Sequence, residues 1–402
     1  MVVDLRDYAS TPFGEARRTL GRHGYVAYFP APIPRAIELP ASTIRLLADA
    51  EASLGRLAGV GQLVPNPQLL IRPYLLREAL SSSRIEGTQA SLADVFEAEA
   101  GDEPPNPDVE EVLNYIDALE WSLARLDELP LGARLIREMH RRLLAGVRGR
   151  ERMPGEFRTT QNWVGPAGST IESARFVPPP PVELPALLAD WERYAHEDLQ
   201  VPLLVQNALL HYQFETLHPF LDGNGRLGRL LSVFLLVEHG RLPAPLLYLS
   251  AYLERDRERY YEVLQTVREH GNALPWIELF LDAVRSQAAD AVARAQRIVE
   301  LRERYRAAAA TITSSSAMTL VDLACETPIL SSRAVEVRLG VTRPTALRLL
   351  RQLEEAGVLE EGRSGPRGQR RYLAHDLMAA VADENVSDTP GSAAPGTPAR
   401  PA

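Results

Sequence analysis

The stretch His218-Pro219-Phe220-Leu221-Asp222-Gly223-Asn224-Gly225-Arg226-Leu227-Gly228-Arg229 lies between two apolar runs. Val205 to Leu217 reads as a helix before it. Leu227 to Glu238 reads as a mostly apolar helix after it, stopped by Gly240 and Pro243. The loop therefore opens onto the positive end of the second helix, where backbone N–H groups around Gly223, Asn224 and Gly225 are free to meet an anion. Glycine on both sides of Asn224 lets the main chain come close to a phosphate. Arg226 and Arg229, three apart, share a helix face and could grip a second phosphate. Asp222 offers a hard oxygen suited to magnesium, and His218 a group that titrates near neutrality.

These positions match, at every specified residue, the signature of the Fic family, His-x-Phe-x-Asp/Glu-Gly-Asn-Gly-Arg-x-x-Arg, and the chain resembles that family over about residues 65 to 285. The resemblance implies a mainly α fold: a Fic helical core with a β-hairpin flap. Fic proteins mostly transfer AMP from ATP to a protein hydroxyl. Carried over, His218 would be the general base on a target Ser, Thr or Tyr. Asp222 would hold magnesium against the α- and β-phosphates. Asn224 and the flanking amides of Gly223 and Gly225 would hold the α-phosphate, and Arg226 and Arg229 the β- and γ-phosphates. In-line attack at phosphorus asks a protein for alignment and charge neutralisation rather than covalent chemistry. A neutral imidazole with a pKa near ~6.5 can take the hydroxyl proton at pH 7. Family members that phosphorylate usually carry Lys where this chain has Gly225, which argues against that reaction. Transfer of another nucleotide such as UMP, removal of AMP by the same site, and an ATP-sensing DNA-binding regulator stay open as alternatives. The target protein is not named by the sequence; self-modification and a homodimer are both compatible with the family.

Upstream, Leu69 to Ile85 reads as a helix with Gly87 as its left-handed cap, which leaves Glu86 in the last turn. A carboxylate there faces the negative end of the helix dipole unless a cation answers it. Ser82, four residues earlier, is on the same face. Ser82-Ser83-Arg84-Ile85-Glu86-Gly87 resembles the inhibitory motif of Fic proteins, Ser/Thr-x-x-x-Glu-Gly/Asn. That resemblance implies that Glu86 pairs with Arg229 and denies it to the γ-phosphate. Charge-assisted hydrogen bonds contribute ~1.5–3 kcal/mol, so the block is reversible and roughly ten- to a hundred-fold.

The chain has 402 residues, 45% hydrophobic and 24% charged, enough for two or three domains. All 44 basic residues are arginine, and the net charge of −9 argues against non-specific nucleic-acid binding by the whole protein. A single cysteine, Cys325, excludes an intrachain disulfide and a cysteine metal cluster, and reads as buried filler. The N-terminus has no charged start followed by an apolar core, and no run of eighteen apolar residues occurs, so a cytoplasmic protein away from membranes is expected.

Four units are expected. Residues 1–107 form an N-terminal helical region, with Ser42 to Leu57 helical and the inhibitory helix at about 69–87. Residues 108–310 form the catalytic core, with Asp108 capping a helix to about Asp127 and a second helix from Gly132 to Val147. Within it, Phe157 to Val164 and Ser173 to Val177 read as a hairpin, the flap at about 155–178. Arg158, Gln161, Trp163 and Phe176 resemble the residues of the family flap that clamps a target segment by strand pairing. His140 and His211 carry no assigned chemistry. Tyr252, Tyr260 and Tyr261 fall where the family lines its adenine pocket, with core packing an equal alternative. Residues 311–380 resemble a winged helix-turn-helix after a Ser/Thr hinge at Thr311 to Ala317. Its short helices are Leu320 to Glu326, Ser331 to Leu339 and Pro344 to Ala356. Ser331 to His375 holds nine Arg against five Glu. Arg343, Thr345 and Arg348 could enter a DNA groove, and Arg363, Arg367, Arg370 and Arg371 could meet phosphates; a protein-interaction module is the rival. The tail, 381–402, is Ser, Pro, Gly and Ala and is expected to be disordered.

Overall fold

A computed structural model describes residues 5–19, 24–63, 68–100, 105–166, 168–198, 200–362 and 370–382. Arg363, Arg367 and the tail from 383 lie outside the described residues. The order begins with a hairpin, β1 (Gly14–Arg18) and β2 (Val26–Pro30), then α1 (Ala41–Leu63), α2 (Gln68–Ile85), α3 (Leu92–Ala100), α4 (Pro107–Leu123) and α5 (Ala133–Leu143). It continues with α6 (Leu184–His196), α7 (Leu203–Leu217), α8 (Asn224–Glu238), α9 (Ser250–Arg255), α10 (Arg257–His270) and the long α11 (Leu274–Ala309). Last come α12 (Ser315–Glu326), β3 (Ile329–Ser331), α13 (Ser332–Leu339), α14 (Arg343–Glu355), β4 (Glu360–Glu361), β5 (Arg371–Leu373) and α15 (His375–Ala382). The protein is mainly helical.

The antiparallel pair α7 and α8 is the spine. Every residue of α7 from Leu204 to Leu217 is buried, and α8 is buried from Arg226 to Leu236. Helices buried on all sides, polar residues such as Asn207, Glu215 and Arg229 included, form the centre of the core, where each buried Leu or Phe contributes ~1.5–3 kcal/mol. Two indoles brace α7: Trp191 Nε1 donates to the Leu210 carbonyl at 2.9 Å and Trp276 Nε1 to that of Ala208 at 2.7 Å. Buried Trp N–H groups need such partners. α11 runs along α1 and also touches α7, α12 and α15.

Some local expectations change. The cap of α4 is Asn106, whose side chain accepts from Val109 N; Asp108 instead accepts from Gln89 N at 2.8 Å. α12 begins at Ser315, so it absorbs the end of the expected hinge. Among the described residues the expected flap strands pair only at Val164 and Phe176, because Pro166 and four prolines from 178 to 181 deny the ladder its donors. Nothing in the residue pattern of 14–30 announces the N-terminal hairpin. Its backbone reaches the flap segment, with Tyr28 N donating to Val177 O at 3.0 Å.

The C-terminal unit is three helices around a small antiparallel sheet of order β3-β5-β4, with Cys325 buried in its core, followed by α15. α12 and α15 both lie against α2. No helix of the described residues is long and apolar enough to cross a membrane.

Candidate active site

His218 caps α7 in the left-handed region, at φ 45°, a conformation that costs a non-glycine residue energy and is held here by its neighbours. Arg158 does much of the holding. It is 2% exposed, and its guanidinium donates to the carbonyls of His218 at 2.9 Å, Pro179 at 2.6 Å and Leu217 at 3.3 Å. Asn162 adds a bond to Phe220 O at 2.8 Å. Burial, then the charges of Arg158 and Arg268, push the His218 imidazole down to about 4. It is therefore neutral at pH 7, as a base must be.

The loop after His218 is closed by its own residues. Asn224 Oδ1 accepts from Phe220 N and its Nδ2 donates to Phe220 O, both at 2.9 Å. The side chain of Asn224 is thus spent on loop shape, and an anion here would be met by main-chain N–H groups. For Asn224 that leaves its own main-chain N–H, beside those of Gly223 and Gly225, as the group open to a phosphate. Gly223, at φ 74°, is the N-cap of α8, which starts three residues earlier than its apolar pattern suggested. Beneath the loop lies His140, fully buried and stacked on Phe220 with ring centroids 3.7 Å apart. Gly155 N donates to its Nδ1 at 2.8 Å, so Nε2 carries the proton and donates to the Asp222 carbonyl at 3.0 Å. One histidine pins the loop.

Both signature arginines are buried, each 1% exposed. Arg226 faces Glu111 of α4 at 3.5 Å and Asp222 at 3.7 Å. Arg229 faces the end of α2: Nε donates to Ser82 Oγ at 2.9 Å, and Nη2 donates to Ser82 O at 2.9 Å and Glu86 Oε1 at 2.8 Å. Burial disfavours a charge on Glu86, but Arg229 overrides it and holds the carboxyl below the usual carboxylate range. Glu215, buried beside Gly228, is pushed up to about 7 by burial, with Arg229 opposing. Arg226 Nε and Arg229 Nη1 are buried without a hydrogen-bond partner among the described residues. Unpaired buried guanidinium N–H groups are costly, and an anion would satisfy them.

The Fic/DOC family N-terminal model matches residues 44–124, and the Fic/DOC family model matches residues 130–236, which contain the whole loop. The chain carries a Fic/DOC domain together with the N-terminal part that goes with it. Protein adenylyltransferase Fic of Drosophila grimshawi is 33% identical over 175 residues, 43% of this chain and 32% of that protein. Its counterpart in Drosophila melanogaster is 32% identical over the same span. The match spans about a third of the length of these curated relatives. A Fic family protein from Desulfovibrio desulfuricans G20 shares the fold, with TM-score 0.56, 23% identity, and coverage of 84% of this chain and 97% of that one. Fic-1 from C. elegans follows at TM-score 0.50 and 22% identity, covering 65% and 73%.

Around the Fic core, the remaining expected site residues separate. Of the four flap residues, Arg158 and Phe176 are buried and Gln161 is tied to Asn162 O, Pro178 O and the Tyr25 hydroxyl, so these three shape the segment from within. Trp163, 42% exposed, is the most open of the four. Tyr260 is core: it is fully buried, and its hydroxyl lies 2.9 Å from His211 Nε2. Tyr252, bonded to Asp282 at 2.5 Å, and Tyr261, under Arg257, are half-buried. In the C-terminal unit Arg371 is buried, and Arg370, half exposed, pairs at the surface with Glu361 at 3.1 Å. Thr345 bonds Thr342. Arg343 and Arg348 are exposed. Glu111, which gathers Thr88, Arg148 and Arg226, was missed; a lone helical glutamate gives no sequence signal.

Asp222 suits a divalent cation that brings its own ligands. Among the described residues no three His, Cys, Asp or Glu side chains gather as a metal site. Its carboxylate, 37% exposed, accepts from Gly223 N at 2.6 Å at the mouth of α8. Magnesium commonly takes one or two carboxylates and completes its shell from phosphates and water.

Proposed function

We propose that this chain is a protein adenylyltransferase that moves AMP from ATP to a Ser, Thr or Tyr hydroxyl and is restrained by Glu86. The observation carrying this reading is the pair of buried guanidiniums, Arg226 and Arg229, each with an unsatisfied N–H, at the mouth of α8 next to a neutral His218. In the proposed reaction His218 takes the proton of the attacking hydroxyl as its oxygen bonds the α-phosphorus. The bond from that phosphorus to the bridging oxygen breaks, and diphosphate leaves. Main-chain N–H groups from Gly223 to Gly225 and the two guanidiniums would take the phosphate charge. Magnesium, held by Asp222, would supply further neutralisation of the phosphates. Tyr252 and Tyr261 are the candidates for the adenine side.

Restraint follows from competition. Glu86 uses the guanidinium that a γ-phosphate needs, so a productive triphosphate must displace it. Intact mass after incubation with magnesium and ATP tests both parts. Native chain should gain little AMP, Glu86→Gly roughly ten- to a hundred-fold more, and His218→Ala none. No gain in Glu86→Gly would reject the restraint, and a different added mass would name another transferred group.

A second, separate reading concerns α14. Arg343, Arg348 and Arg351 on it are exposed and make no hydrogen bond or ion pair with another described residue. Three unanswered guanidiniums in an acidic chain favour duplex DNA as the partner of a winged helix.

A further inference from the structure

Two successive residues of α2 grip opposite neighbours. Glu78 is fully buried; its carboxylate accepts from Ser250 N at 3.0 Å, from the Ser250 hydroxyl, and from the Tyr115 hydroxyl at 3.1 Å. That ties α2 to the start of α9 and to α4, the nucleotide side. Arg77 turns the other way and meets Asp290 of α11 at 2.7 Å. The same oxygen, Asp290 Oδ2, accepts from Arg294 Nε at 2.8 Å. Arg294 Nη1 then donates to the carbonyls of Ala380 and Val381, at 3.0 and 3.2 Å, in the last turn of α15. One turn before Glu78, the Tyr74 hydroxyl donates to the Ala291 carbonyl at 2.6 Å. A buried polar line therefore runs from α2 through α11 to the C-terminal unit.

We propose that the C-terminal unit is a working part of the restraint on the active site. Asp290, held between Arg77 and Arg294, is the positioning residue that sets where α2 sits, and thereby how well Glu86 reaches Arg229. The inference rests on the reading of α2 as the inhibitory helix. Arg77 is nine residues before Glu86, about 13 Å along a helix at 1.5 Å per residue, so a displacement at one reaches the other through stiff backbone. The Glu86–Arg229 bond has little slack, since hydrogen bonds weaken steeply beyond ~3.2 Å and with misalignment. Glu78 pulls α2 toward the nucleotide side while Arg77 links it to α15, so a partner that shifts α15 would load the joint at Asp290. This gives the C-terminal unit a use at the active site whatever its own partner is.

The test uses the full chain with Asp290→Asn and Arg77→Met, each alone and combined with Glu86→Gly. Hydrogen exchange is read at residues 81–88 and across α7 and α8, and affinity is measured for a non-hydrolysable ATP analogue with magnesium. Each single variant should speed exchange at 81–88 and tighten the analogue by about tenfold, the effect of one charge-assisted hydrogen bond, and leave α7 and α8 unchanged. In the Glu86→Gly background neither should tighten it further. Unchanged exchange at 81–88, an equal gain in both backgrounds, or loosening of the whole core in both variants would overturn the proposal. If Glu86→Gly transfers no AMP, the adenylyl-transfer reading fails, while exchange and affinity still decide this one.

Discussion

Gly225 and Glu86 compete for one volume: a Cβ at position 225 would fall 2.4 Å from Glu86 Oε1 and 3.0 Å from Arg229 Nη1. The Glu86–Arg229 pair can sit on the first turn of α8 because residue 225 has no side chain. Gly225→Ala should cost about 1–3 kcal/mol by overpacking. Removing the carboxylate removes the closer of the two conflicts, so the same substitution in a Glu86→Gly chain should cost less than half as much. Urea midpoints of the four chains make the cycle. Equal costs in both backgrounds would mean that the two residues do not meet in solution.

Arg158 donates to the main chain of His218 and also lowers the affinity of its ring for protons. For the Glu86→Gly enzyme, kcat/KM should stay level from pH 8 to about pH 5 and fall as pH approaches 4. Arg158→Met should reduce the rate by ten-fold or more, the consequence of a base misplaced by a fraction of an ångström, and move the acid limb upward in part, because burial, the larger cause, and Arg268 still hold the ring below its ordinary value. A limb near 6.5 in the unsubstituted background would show that His218 is not held as described.

Acid stability provides a check free of any activity. Burial pushes His140 down to about 4 and His211 to about 3, against ~6.5 in the unfolded chain. Between those values the unfolded chain binds protons that the folded chain refuses. The stabilising contribution is thus complete above pH 6.5 and is lost as pH falls toward 4. For His140 the full window is worth roughly 3 kcal/mol. Urea midpoints at pH 7.5 and 5 should differ for the native chain and differ less for His140→Gln.

If α14 meets duplex DNA, affinity should fall steeply with salt. Arg343→Ala and Arg348→Ala should each reduce the slope of log affinity against log salt by about one, and His218→Ala should leave it unchanged. Fluorescence anisotropy with a labelled duplex measures this. Absence of binding at low salt would assign the unit to another partner.

Where chemistry is local, the sequence was readable. The loop from His218 to Arg229 and the end of α2 near Gly87 fall where residue types and spacing placed them, because glycines and helix periodicity act over a few residues. Roles decided by distant partners were not readable. The side chains of Arg158 and Asn224 are taken up by main-chain groups that no spacing in the sequence points to. For Tyr260 the sequence left adenine pocket and core packing level, and His211 and Trp276 decide for the core. The β1–β2 hairpin was hidden because Gly14-Glu-Ala-Arg-Arg18 carries no apolar alternation, and its partner strand supplies the buried face. The flap was over-read as strands because its apolar residues alternate well enough while its prolines veto the ladder.

Ser82 holds Arg229 by two bonds that do not involve Glu86 at all. The guanidinium therefore keeps its aim on α2 when the carboxylate swings aside, and under the proposed restraint the shut and open sites would differ by a swing of the Glu86 side chain that a small shift of α2 biases one way or the other. Such a latch chatters. A resting population would always be momentarily ajar, and the quiet state of the protein would be a low, steady leak whose size is set by how fast nucleotide arrives in those intervals.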